Sequence, residues 1–99
     1  MGAAEEMVIP VTQVRLNLVN VSGPTKAVGS VTFGNAFVVH GVRVVEASRG
    51  GLFVAMPQEK RNGEYRDLFH PITGEFRARL NSAVMEMYEK LREREDRER

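Results

Sequence analysis

The side chains of this sequence best equipped to act on another molecule are cationic: Arg15, Lys26, Arg43, Arg49, Lys60, Arg61, Arg66, Arg77 and Arg79. Lys60 and Arg61 stand just before Asn62-Gly63, the strongest turn signal in the chain, and Arg66 follows in the returning segment. Arg77 and Arg79 come soon after, in the first turns of what reads as a helix. Lys60, Arg61, Arg66, Arg77 and Arg79 are therefore expected to converge at one edge of the fold. Grouped cations of this kind neutralise phosphates, and helix-terminal amides assist them. Glu59, Glu64, Asp67 and Glu75 are interspersed among them. On residue chemistry alone, a solvated mixed-charge surface, a nucleic-acid surface and a protein-binding surface all stay open.

Other chemistry is sparse. With no cysteine there is no thiolate nucleophile, no disulfide and no cysteine-ligated metal. His40 and His70 are thirty residues apart, and no carboxylate sits at metal-ligand spacing from either. His40 lies among even-numbered valines and is expected in the core or at an interface. His70, near Asp67 and before Pro71, is expected to tie a strand end to the helix start by hydrogen bonding; a base role is the weaker reading. Ser82 has no base nearby, so no triad is visible. The glycines are scattered singly among turns and strands and do not form a phosphate-cradling loop. The expectation is a non-enzymatic protein with no cofactor and no metal.

The elements that must position the cations follow from periodicity. In residues 11–19, Val14, Leu16 and Leu18 alternate with Arg15 and Asn17, the two-residue period of a half-buried strand. Pro10 suits its start, and Ser22-Gly23-Pro24 ends it. A second strand, 26–33, places Ala27, Val31 and Phe33 on one side. Gly34-Asn35 then turns the chain into a third strand, 37–45. Strict alternation there sets Val38, Val42 and Val44 on one face and Phe37, Val39 and Val45 on the other. A strand apolar on both faces wants cover on both, and one helix covers only one. Phe37, Val39 and Val45 are accordingly expected in the core or in a dimer interface. Residues 52–56 form a fourth strand ended by Pro57, and 65–70 a fifth. The result is a meander of five short strands, with Gly29 and Gly41 marking bulges or close backbone approach.

From Phe76 the period changes. Phe76, Leu80, Ala83, Val84, Met87, Tyr88 and Leu91 form the apolar stripe of a helix with one buried face. Thr73 is its expected N-cap, and Glu75 and Arg79 form an i,i+4 pair in the favourable orientation. After Leu91 the apolar spacing stops, and residues 92–99 are expected to be a frayed, solvent-exposed charged tail. The fold class is thus α+β: a small curved antiparallel sheet packed with one long C-terminal amphipathic helix.

Ninety-nine residues suit one domain rather than two. We expect a flexible leader over 1–10, the domain over 11–91 and the tail over 92–99. With 42% apolar and 27% charged residues the chain is too hydrophobic for full disorder and too interrupted by charge for a membrane span. The acidic start is unlike a secretory signal, which points to the cytoplasm. Net charge is only +1, but residues 7–73 carry seven Lys/Arg against four Asp/Glu, whereas residues 74–99 carry seven of each. The sheet is the basic part of the molecule.

The runs Phe37-Val38-Val39-His40-Gly41-Val42-Arg43-Val44-Val45, Gly51-Leu52-Phe53-Val54-Ala55-Met56-Pro57 followed by Lys60-Arg61, and Gly63-Glu64-Tyr65-Arg66-Asp67-Leu68-Phe69-His70-Pro71-Ile72 resemble the SpoVG family, the stage V sporulation protein G group of bacterial regulators. Val14-Arg15-Leu16 and the helix through Ala83, Val84 and Tyr88 agree, so the resemblance covers residues 11–91. It implies a small homodimer of sheet and C-terminal helix that binds DNA, and in some members RNA, and modulates gene expression linked to sporulation or septation. It also implies that Lys60, Arg61, Arg66, Arg77 and Arg79 are the nucleic-acid contacts. The acidic leader and the alternating-charge tail depart from the family pattern. A structural or adaptor dimer that recruits another protein through its sheet is the alternative.

Overall fold

A computed structural model of the chain describes residues 9–19 and 22–97. Six strands and one helix follow in order: β1 (Val11–Leu18), β2 (Thr25–Phe33), β3 (Phe37–Glu46), β4 (Leu52–Ala55), β5 (Gln58–Arg61), β6 (Glu64–Asp67) and α1 (Gly74–Arg97). The first four form an open antiparallel sheet in the order β1-β2-β3-β4, and β5 with β6 form a separate two-stranded ribbon. The architecture is α+β, as expected, but the sheet is open rather than strongly curled, and β5 is a strand that the five-strand expectation did not contain. The expected fifth strand does not join the sheet, because Pro57 closes β4 and the chain folds back on itself around Asn62-Gly63. Both turn dipeptides adopt the left-handed geometry that their residue types permit: φ is 58° and 54° at Gly34 and Asn35, and 54° and 81° at Asn62 and Gly63.

One face of the sheet is covered by α1. Val14 and Leu16 from β1, Ala27, Val31 and Phe33 from β2, and Val42 and Val44 from β3 are buried with Met56 against Leu80, Val84 and Tyr88 of the helix. Phe76, Ala83, Met87 and Leu91 flank that stripe and pack on the same core, so the helical spacing in the sequence identified the buried face. Thr73 caps the helix, its hydroxyl accepting the Phe76 amide at 3.1 Å. The helix does not fray at Leu91. It runs on to Arg97, with Arg92 donating to the Tyr88 hydroxyl at 3.0 Å and Arg97 pairing with Glu93 at 3.3 Å. Side-chain pairing within the helix holds those turns, so they need no apolar contact.

Strand β3 departs from simple alternation at Gly41. Gly29 pairs with Val42 but Ser30 pairs with His40, so Gly41 is an extra residue, a β-bulge with φ 88°. Side chains opposite one another in an antiparallel pair share a face. Phe37 and Val39, opposite the buried Phe33 and Val31, therefore lie on the helix side together with Val42 and Val44. Val38, His40, Arg43 and Val45 lie on the open side. This corrects the faces expected from strict alternation: Val39 packs against the core, Val45 is half-buried on the opposite side, and Phe37 is 71% exposed at the hairpin end. His40, expected in the core or at an interface, is exposed on the open side for the same reason.

Candidate nucleic-acid interface

The five cations singled out by the sequence do not form one cluster. In the ribbon, Lys60 lies opposite Tyr65, Glu59 opposite Arg66 and Arg61 opposite Glu64. One face of the ribbon thus carries Lys60 with Tyr65, Gln58 and Asp67, while the other carries Arg61 and Arg66 with Glu59 and Glu64. On the second face each arginine has an acid beside it, and Arg61 contacts Glu59 at 3.1 Å. On the first face, Lys60 Nζ sits 5.7 Å from the centre of the Tyr65 ring, and Gln58 Nε2 donates to Asp67 Oδ1 at 2.8 Å.

Arg77 and Arg79 are turned toward local partners at the helix start. Arg77 Nη2 donates to the Pro71 carbonyl at 3.0 Å, and Arg79 approaches Glu75 at 3.9 Å. His70 Nδ1 lies 3.2 Å from the same carbonyl, a contact with the next residue along the chain that reaches no helix residue, so the link to the helix start expected of His70 is made by Arg77 instead. Asp67 is bonded to Gln58, away from the role of a partner base for His70.

The bulge creates a surface that residue spacing does not reveal. The sheet face opposite α1 carries Gln13, Arg15 and Asn17 from β1, Val28, Ser30 and Thr32 from β2, Val38, His40, Arg43 and Val45 from β3, and Phe53 and Ala55 from β4. Two arginines and a histidine stand on this face, and among the described residues it holds no carboxylate. Arg15, Ser30 and His40 form one row across three strands. Asn17, Val28, Arg43 and Ala55 form the next. With strands about 4.8 Å apart and residues about 3.4 Å apart along them, Arg15 and Arg43 are separated by roughly 12 Å, a span that reaches non-adjacent phosphates of one strand. Phe53 is 47% exposed on the same face.

Between this face and the ribbon lies an open hollow of about 440 Å³, lined by Gly41, Arg43, Pro57, Gln58 and Tyr65. Its geometry depends on Gly41, where a Cβ would come within 3.2 Å of the Pro57 side chain. Glycine there lets the chain leaving β4 cross β3 closely and brings the Tyr65 face of the ribbon to the Arg43 side of the sheet. Arg15 and Arg43 belong to the basic set of the sequence, but the signal that joins them with His40 and Tyr65 is the bulge. An isolated glycine in a strand is a weak indication of one.

Fold and site together define a small α+β protein: a helix-backed antiparallel sheet whose uncovered face is basic, with a ribbon folded beside it. Among the described residues no helix is long and apolar enough to cross a membrane, and no group of three or more His, Asp or Glu side chains is placed to hold a metal ion. The profile of the SpoVG family matches residues 9–90. Relatives named "Putative septation protein SpoVG" include that of Thermoanaerobacter pseudethanolicus, 49% identical over 86 residues, covering 86% of this chain and 92% of the relative. The Heliobacterium modesticaldum protein is 51% identical over 80 residues, covering 80% and 89%, and the Clostridium perfringens protein is 43% identical over 83 residues, covering 83% and 91%. The chain belongs to the SpoVG family.

Proposed function

We propose that this protein is a non-enzymatic, cytoplasmic nucleic-acid-binding regulator that acts as a homodimer, contacts mainly the phosphate backbone, and modulates gene expression tied to sporulation or septation. The observation that carries the reading is the open sheet face, where the cations Arg15 and Arg43 stand with His40 and, among the described residues, no carboxylate shares the same face of the sheet. Unopposed cations attract phosphate, whereas the mixed-charge face of Arg61, Arg66, Glu59 and Glu64 is close to neutral. Backbone contacts of this kind give modest sequence preference, and the single helix is occupied by core packing rather than free to enter a groove. Family membership and the septation named for its relatives support the biological setting.

Support for a dimer comes from apolar side chains that one copy leaves in water, above all Phe37 and Ile72, the latter 89% exposed. A second reading, an adaptor that recruits another protein through its sheet, is favoured by Val28, Val38 and Phe53, which are exposed among the arginines of the open face. A salt titration of binding to random-sequence duplex DNA separates the two. The nucleic-acid reading expects measurable binding near 50 mM salt that falls steeply as salt rises, by about 0.9 in log K per log salt for each phosphate neutralised. Absence of binding at low salt favours the adaptor. Light scattering on the same sample tests the dimer, which must have twice the 11.1 kDa mass of the chain.

A further inference from the structure

We infer that the hollow between β3 and the β5–β6 ribbon receives an unpaired nucleobase, stacked on Tyr65, with the adjoining phosphates held by Lys60 and Arg43. This deepens the nucleic-acid reading and rests on it. Tyr65 is 68% exposed, with only the Lys60 ammonium over its ring, so most of the aromatic surface is open to a partner. Local hydrogen bonds set the register of the ribbon around it. Gln58 and Asp67 are hydrogen-bonded across the strands, the Leu68 amide donates to the Pro57 carbonyl at 2.8 Å, and Asn62-Gly63 closes the other end in left-handed geometry. The ring is thus presented on a paired two-stranded support beside an open hollow of about 440 Å³.

The chemistry around the ring selects the occupant. An aromatic face accepts a planar partner, and Lys60, over the ring, with Arg43, which lines the same hollow as Tyr65, favours a partner that carries negative charge. Asp67, the acid on this face of the ribbon, is engaged by the Gln58 amide. A nucleotide has both features. In a duplex the faces of its base are hidden in the stack; in a single strand they are free, and stacking on aromatic side chains is the general mode of single-strand recognition. Arg15 and His40 on the open sheet face then lie where the strand continues away from the hollow.

The test compares wild type, Tyr65→Phe and Tyr65→Ala in fluorescence-anisotropy titrations with a labelled oligothymidine 20-mer and with a duplex of equal length, near 50 mM salt. Tyr65→Ala is expected to weaken single-strand binding about 5- to 150-fold, the effect typical of losing one base–aromatic stack. Duplex binding should stay within about twofold, and Tyr65→Phe should retain single-strand affinity within about threefold. Should the alanine variant lose the ribbon, wild type alone supplies a second readout. The chain has two tyrosines and no tryptophan, and Tyr88 is buried, so stacking on Tyr65 must quench intrinsic tyrosine emission with the single strand and not with the duplex. Unchanged single-strand affinity in Tyr65→Ala, equal losses for single strand and duplex in a folded variant, or absence of selective quenching overturns the inference, while binding by wild type leaves the nucleic-acid reading standing. Failure of wild type to bind either form overturns the nucleic-acid reading itself.

Discussion

At Gly41 the backbone reaches φ 88°, a conformation that side chains with a Cβ rarely adopt, and a methyl group there would press on Pro57. Gly41→Ala should cost about 1–3 kcal/mol, read as a lowered urea midpoint. Gly29 is constrained differently. Its φ is ordinary, but a Cβ would collide with the Arg15 carbonyl oxygen and the neighbouring backbone of β1, which no side-chain rotation relieves. Gly29→Ala is therefore expected to destabilise by about 2–3 kcal/mol, because β1 and β2 must part to accommodate it. At the helix start, removing the Thr73 hydroxyl leaves the Phe76 amide without its partner. Thr73→Ala should lower stability by about 1 kcal/mol and Thr73→Ser by far less, measured by the same denaturation. At the other end of the helix, the Tyr88 hydroxyl accepts a hydrogen bond from Arg92 and raises the pKa of that guanidinium, fixing a cation beside the acids Glu95 and Asp96.

The helix and the sheet stabilise each other through a narrow seam. Leu80 and Val84 are fully buried in one core with the inward side chains of the sheet. Leu80→Ala should cost about 2–5 kcal/mol through the cavity it opens. Val84→Asp, which buries a charge with no cation nearby in the core, should abolish cooperative unfolding as followed by far-UV circular dichroism. The ribbon is a different kind of element. Its two four-residue strands bury little, and its stability rests on the Asn62-Gly63 turn, the backbone pairing and the Gln58–Asp67 bond. It is expected to exchange its amide hydrogens well before the four-stranded sheet does, a difference visible by native-state hydrogen exchange.

Across the whole molecule, charge is sorted by face more than by sequence. The helix alternates acids and bases along its surface, the outer face of the ribbon is balanced, and the open sheet face holds its cations without counter-charge. If phosphate is bound there, Arg15→Ala combined with Arg43→Ala must weaken duplex binding and reduce the slope of log K against log salt by about 1.8, one phosphate for each arginine. Arg61→Ala, which removes a cation already paired with Glu59, should alter that slope far less. A larger change of slope in Arg61→Ala than in the double replacement would place the contacts on the ribbon's outer face.

The α+β class, the four sheet strands, both left-handed turns, the helix stripe and its Thr73 cap were legible in the sequence, because each depends on periodicity or on residue types acting over a few positions. The charged continuation of the helix to Arg97 was not, since i,i+4 pairing leaves no apolar period to read. Nor were the two sides of β3. One extra residue at Gly41 reverses the parity of every side chain before it, sending His40 outward and Val39 inward. The pairing partner across the sheet determines whether a glycine in a strand is a bulge, and that partner lies far away in the chain. For the same reason the sequence named the cations, but only the register of β3 and of the ribbon decided which of them stand together: Arg15 with His40 and Arg43 on one surface, Lys60 beside Tyr65 facing the hollow, and Arg61 and Arg66 apart among acids.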